Sequence, residues 1–280
     1  MANTFADRFA GTRSLFGPLV WGLDPSGAVL RSWGLDDSPD GLDRFVDIVL
    51  EAAVGAVGLV KPQSAFYERH GWRGIRTLGR LVADARQAGL LVILDAKRGD
   101  VGSTNDAYAE AFLGSDAAMP ADALTVHPYL GFGAMEAFVE RAHRSGSCLL
   151  VVTRSSNPEG RRVQAAQEET GRSVEAWLLE EIGRRNAVLA PGVIGPIGAV
   201  IGPTHIHPEL DLTSANALYL APGVGAQGAT PSDVAEVFHE CRDRVMPSAS
   251  RLLLEAGPKV AKLRAEVEAL ATVFKELLVD

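Results

Sequence analysis

The chain of 280 residues holds only two cysteines, Cys148 and Cys241, far apart in sequence. Two distant thiols build neither a disulfide framework nor a zinc-ligand spacing, and they suit a reducing cytosol. Basic charge is also scarce. Lys and Arg number 27 against 35 Asp and Glu, a net charge of −8. That balance argues against nucleic acid or an anionic membrane as a partner. Any anionic ligand must be drawn in by a local cluster of cations. No apolar run approaches the roughly 18 residues of a membrane span. The N-terminus mixes Asp7, Arg8 and Arg13 with short apolar pieces, so no signal-peptide h-region is read there. A cytoplasmic protein is expected.

Core material is plentiful, at 47% hydrophobic and 22% charged residues. The length allows two small domains or one barrel-sized domain. Strand patterns recur at 19–23, 56–60, 90–94, 123–126, 148–152, 197–201, 218–221 and, more weakly, from 244 to 252. Helical patterns alternate with them, at 1–15, 43–54, 72–88, 105–113, 133–143, 163–186, 232–241 and 259–278. A short connector covers 208–216. Alternation of this kind implies a parallel sheet. With no compositional break along 1–280, a single α/β domain is expected, a (β/α)₈ TIM barrel with an N-terminal helix and a closing C-terminal helix. An open doubly wound sheet is the alternative.

The third strand carries the sharpest signal. Leu90-Leu91-Val92-Ile93-Leu94 is the run of a buried strand, and it breaks into Asp95-Ala96-Lys97-Arg98-Gly99-Asp100. Alternation puts Asp95 and Lys97 on one face and Ala96 on the other. Buried charges need partners. The two are therefore either a structural ion pair or part of a site. Other strands also end in polar residues: Asp24, Lys61, His127, Ser155 with Ser156, and Gln227. A barrel gathers such ends on one face. Each also has a plain reading: Asp24 before Pro25 as a turn residue, Lys61 as a solvated loop lysine, Asp100 and Thr104 as caps of the next helix.

Gly223-Val224-Gly225-Ala226-Gln227-Gly228 spells G-x-G-x-x-G. It stands too late in the chain for a dinucleotide half-domain. Its backbone N–H groups suit a single phosphate, with Arg251, at the end of the eighth strand, as a guanidinium partner. His205-Ile206-His207 lacks a third ligand at a suitable spacing, so no metal site is expected.

Together these residues resemble the orotidine 5′-phosphate decarboxylase family, in particular its longer bacterial branch. Asp95-Ala96-Lys97-Arg98-Gly99-Asp100 matches the family's Asp-x-Lys-x-x-Asp signature. Gly22-Leu23-Asp24-Pro25, Lys61, Thr125-Val126-His127-Pro128, Ser155-Ser156-Asn157-Pro158, the glycine loop and Arg251 follow in the family's order. The resemblance runs from about residue 5 to about 257. It implies a cofactor-free and metal-free homodimer that converts orotidine 5′-monophosphate to UMP and CO₂. It further implies a charged tetrad of Lys61, Asp95, Lys97 and Asp100, with Lys97 as the proton donor. Asp100 and Thr104 would reach the neighbouring subunit's site. Asp24 would bind ribose, Ser156 or its neighbour Ser155 the pyrimidine, and Gln227 and Arg251 the phosphate, with Gly223 and Gly225 allowing close approach. Two other readings are a Mg²⁺-dependent sugar-phosphate enzyme on a related barrel and a non-catalytic nucleotide binder.

Overall fold

The computed structural model describes residues 3–204 and 210–279. The His205–His207 pair and the start of the 208–216 connector lie outside the described residues. Eight parallel strands close on themselves in sequence order: β1 Val20–Leu23, β2 Leu59–Pro62, β3 Leu91–Arg98, β4 Ala123–Val126, β5 Cys148–Arg154, β6 Ile197–Ile201, β7 Tyr219–Pro222 and β8 Val245–Ala249. The last closes on the first through Val20–Ser248 and Trp21–Ala249. This is the (β/α)₈ barrel, not the open sheet.

Helices wrap the strands. In order they are α1 Phe5–Phe16, α2 Gly27–Ser32, α3 Pro39–Ala53, α4 Ser64–Glu68, α5 Gly71–Gln87, α6 Gly102–Phe112, α7 Glu136–Ser145, α8 Arg161–Gln164, α9 Val174–Leu189, α10 Pro231–Val237, α11 Arg251–Leu254 and α12 Val260–Leu278. Between β6 and β7 the described residues form no helix. The apolar stripes of α3, α5 and α12 pack with the outward-facing strand residues into one continuous layer.

A second, smaller core fills the barrel. Val20, Leu59, Ile93, Leu150, Leu220 and Met246 point inward, and Phe5 and Phe9 of α1 join them from below. The first helix is thus a stopper for the N-terminal mouth. It is seated by its ends. Thr4 and Asp7 form a reciprocal capping box. The main-chain N–H of Phe5 donates to Gly146 at 2.7 Å, and Arg8 pairs with the buried Asp122, whose other oxygen accepts Val92 N–H at 2.9 Å.

Three local expectations need correction. The helix expected across 163–186 is two pieces, α8 and α9, because 165–173 turns back through an antiparallel bridge between Gln167 and Ser173. Its charge pattern suits solvated turn as well as helix. The eighth strand stops at Ala249, so Arg251 opens α11 instead of ending a strand. Neither Asp100 nor Thr104 caps α6, whose N-cap is Val101 with no side-chain bond. Asn105 holds that corner instead. Its amide accepts Asp100 N–H at 2.9 Å and donates to Asp100 O at 2.5 Å and Ala134 O at 2.7 Å.

Candidate active site

A cavity of about 270 Å³ opens at the C-terminal ends of the strands, the face where barrels of this kind carry their sites. Its floor is charged. Asp95, 5% exposed, accepts Lys61 Nζ on Oδ2 at 2.9 Å and Lys97 Nζ on Oδ1 at 2.5 Å. Thr125 of β4 adds a hydroxyl to Oδ1 at 2.8 Å. Burial pushes the Asp95 carboxyl up, but the two ammonium groups and their hydrogen bonds more than reverse this. The net effect holds it well below the usual carboxylate range. Burial likewise lowers Lys61, and the charges of Asp95 and then Asp24 carry it above its ordinary value. Both groups are therefore ionised near neutrality.

Asp95 and Lys97 reach the same cavity, though not by simple alternation. The register against β4 slips between Leu94 and Arg98, and Lys97 sits in the left-handed region at φ +45°. Such a backbone costs a residue with a side chain about 1–3 kcal/mol. The Lys97 N–H is caught by Thr125 Oγ1 at 3.0 Å. One threonine thus fixes both the carboxylate and the strained backbone beside it.

Asp24 completes an alternating row, Asp24, Lys61, Asp95, Lys97, that is neutral within one chain. Asp24 is half-buried and lines the cavity, with its Oδ1 buried and without a hydrogen-bond partner. Its carboxylate offers acceptor capacity to a ligand hydroxyl.

The opposite rim is made of loops. Ser155, Ser156 and Asn157 follow β5, Gly223 and Gln227 follow β7, and Arg251 follows β8; all line the cavity. Ser156 Oγ bonds Gln227 Oε1, while Ser155 is taken by Gln164, which accepts Ser155 N–H at 3.1 Å and donates to its hydroxyl at 2.9 Å. Gly223 needs its freedom: φ is +102° and a Cβ would meet Gln227 Oε1 at 2.6 Å. Gly225, at φ +75°, faces Leu252 rather than the cavity. The loop's amides differ from expectation. Gly225, Ala226, Gln227 and Gly228 donate within the loop to Ala229, Val224, Gly223 and Gly225. The donors aimed at this rim are side chains, Gln227 and Arg251.

Asp100 and Thr104 lie outside the cavity of the single chain. Two contributors were not singled out from sequence. Gln63 lines the cavity with its Oε1 3.5 Å from Lys97 Nζ; its place two residues beyond Lys61, just past the end of β2, was the available signal. Thr125 stands in an otherwise apolar strand, Ala-Leu-Thr-Val. No group of three or more potential metal ligands occurs among the described residues.

The cavity therefore combines an acid–base row with a polar rim that includes Arg251. Residues 17–265 match the family described as orotidine 5′-phosphate decarboxylase / HUMPS. A curated orotidine 5′-phosphate decarboxylase of Streptomyces coelicolor is 47% identical over 259 residues, 92% of each chain. One from Salinispora arenicola is 46% identical over 252 residues, 90% of each. A crystal structure assigned to orotidine 5′-phosphate decarboxylase of Streptomyces avermitilis superposes with a TM-score of 0.94 at 44% identity, covering 99% of this chain and 96% of that one. Similarity along nearly the whole chain, on a closed barrel with this acid–base row at its mouth, places the protein in the orotidine 5′-phosphate decarboxylase / HUMPS family.

Proposed function

We propose that the chain decarboxylates orotidine 5′-monophosphate to UMP in pyrimidine biosynthesis, in the cytoplasm, without metal or organic cofactor. The observation that carries this reading is the Asp95 carboxylate held between Lys61 and Lys97 beneath a rim of Gln227 and Arg251. The phosphate rests on the side chains of Gln227 and Arg251, beside Gly223; Gly225, turned toward Leu252, shapes the loop without touching the phosphate. The ribose hydroxyls meet the Asp24 carboxylate, which lines the cavity. Ser156 reads the pyrimidine: Ser155 is held by Gln164 at both its N–H and its hydroxyl, whereas the Ser156 hydroxyl bonds Gln227, itself at the rim.

Breaking the bond between C6 and the carboxylate leaves an electron pair on C6 in the plane of the ring, out of conjugation with it. Lys97 is the charge nearest to help. Its ammonium stabilises the pair as it forms and then transfers a proton to C6, while CO₂ departs. The resulting neutral amine regains its proton from water. Asp95 holds the Lys97 ammonium in place before the step. It also repels the substrate carboxylate, by roughly 4 kcal/mol at about 4 Å and an effective dielectric of ~20. That is a small part of the barrier reduction enzymes achieve, commonly about 8–23 kcal/mol, so stabilisation by Lys97 dominates.

The working unit is a homodimer in which Asp100 and Thr104 serve the neighbouring cavity; neither lines its own. Small nucleotides are its ligands, with no role for nucleic acid or membrane. Loss of orotidine 5′-monophosphate absorbance, followed with and without EDTA, tests the activity. Turnover unaffected by EDTA is expected. Abolition by EDTA would point to a metal-dependent sugar-phosphate enzyme, and binding without turnover to a non-catalytic binder. Mixing Asp100→Ala with Asp24→Ala chains should restore part of the activity. No recovery would remove the shared site.

A further inference from the structure

We propose that Arg154 and Glu175 are positioning residues that aim the 155–157 turn at the pyrimidine. The inference rests on the nucleotide reading above. Arg154 ends β5, and Val152, two residues before it, lines the cavity. Plain alternation would turn Arg154 into the cavity as well. The register against β6 slips between Val152 and Arg154, and Arg154 lies outside the cavity lining. Its guanidinium grips Glu175 with two parallel bonds, Nε to Oε2 at 2.8 Å and Nη2 to Oε1 at 2.7 Å. Both residues are buried, at 5% and 2% exposure. Glu175 sits in the first turn of α9, where the helix dipole also favours a carboxylate.

The pair joins the two feet of the segment 155–174. That segment begins with Ser155, Ser156 and Asn157, the part that faces the cavity. Arg154 is pinned from a second side: its carbonyl accepts Gly202 N–H at 2.7 Å. Gly202 has no room for a side chain, since a Cβ there would stand 2.7 Å from Ser156 Cα. The ion pair and this close approach fix where Ser156 points. Burying an ion pair gains little stability over apolar packing, yet its fork geometry tolerates one orientation. Orientation is what a base-reading serine needs, because a shift of about 1 Å in a positioned group can cost about 10²-fold.

The test compares ligands that differ only in the base. Wild type, Arg154→Met/Glu175→Leu and Glu175→Gln are titrated with UMP and with ribose 5-phosphate, and their melting temperatures recorded. The apolar double variant keeps the volume filled. It should stay folded and weaken UMP by at least about tenfold while ribose 5-phosphate changes by less than about twofold. Glu175→Gln, which retains hydrogen bonding, should recover part of the UMP affinity. Equal loss of both ligands, or retention of both, overturns the positioning role. A wild type that binds both ligands equally overturns the pyrimidine reading itself, a result distinct from either.

Discussion

Thr125 donates its hydroxyl to Asp95 Oδ1 at 2.8 Å from the adjacent strand. Thr125 Oγ1 in turn accepts Lys97 N–H at 3.0 Å. Removing this hydroxyl strands the Lys97 N–H and leaves Asp95 Oδ1 to the Lys97 ammonium alone. Hydrogen bonds to charged partners contribute about 1.5–3 kcal/mol. Thr125→Val keeps the shape, so kcat should fall by about 10–100-fold with UMP affinity nearly unchanged. Steady-state kinetics with a UMP titration reads this directly. A kcat within about twofold of wild type would dismiss Thr125 as a support of the acid–base row.

Lys97→Ala removes the proton donor and half of the cationic clamp on Asp95. Turnover should drop by at least about 10³-fold. UMP, which lacks the departing carboxylate, should still bind. Calorimetry beside single-turnover kinetics separates the two effects, and near-normal turnover would end the proton-donor role.

Arg251→Ala should act on the phosphate alone. Losing a charge-assisted contact of about 1.5–3 kcal/mol weakens UMP by about 10–100-fold, whereas uridine affinity stays level. Equal weakening of nucleotide and nucleoside would move the phosphate elsewhere.

The buried pair also sets a pH window. Burial opposes the Asp95 charge, but Lys61 and Lys97 outweigh it, so its folded pKa lies below the unfolded value of about 3.9. Its stabilisation is complete above that value and is lost as pH falls further. Lys61 has the opposite sign. Burial lowers it, Asp95 and Asp24 raise it by more, and its contribution holds below the unfolded value of about 10.4 and fades as pH climbs past it. Stability from this pair should be flat from about pH 5 to about 10 and fall at both ends. Asp95→Asn leaves two unbalanced ammonium groups, one of them buried, and should cost about 3–5 kcal/mol at neutral pH. Denaturant unfolding across pH measures both, and a wild-type curve parallel to that of Asp95→Asn below about pH 4 would refute the assignment.

Strand order was legible because each strand announced itself by an apolar run and a polar ending, as in Val92 to Asp95. The charged row was legible for the same reason. Less visible was anything that depended on contacts between distant segments. Arg251 looked like the end of a strand because a weak strand pattern runs on from Val245 to Leu252; pairing with β7 stops at Ser248 and lets α11 begin. The glycine loop suggested a ring of free amides, yet its short internal bonds engage them. Gln63 carries no motif at all, and Thr125 stood only as the first residue of the Thr125-Val126-His127-Pro128 match, with no role of its own. Their importance comes from what stands across the strand, a relation that periodicity does not encode.

The helix stopper beneath the barrel has a consequence for traffic. With Phe5 and Phe9 filling the N-terminal mouth, the interior is a flask with one neck. Nucleotide, water and gas share that neck. In the proposed reaction CO₂ is liberated deeper than the phosphate and sugar that anchor the product. The small molecule must slip past the large one, or wait for it. That the two products share one way out is thus written into a helix that touches neither of them.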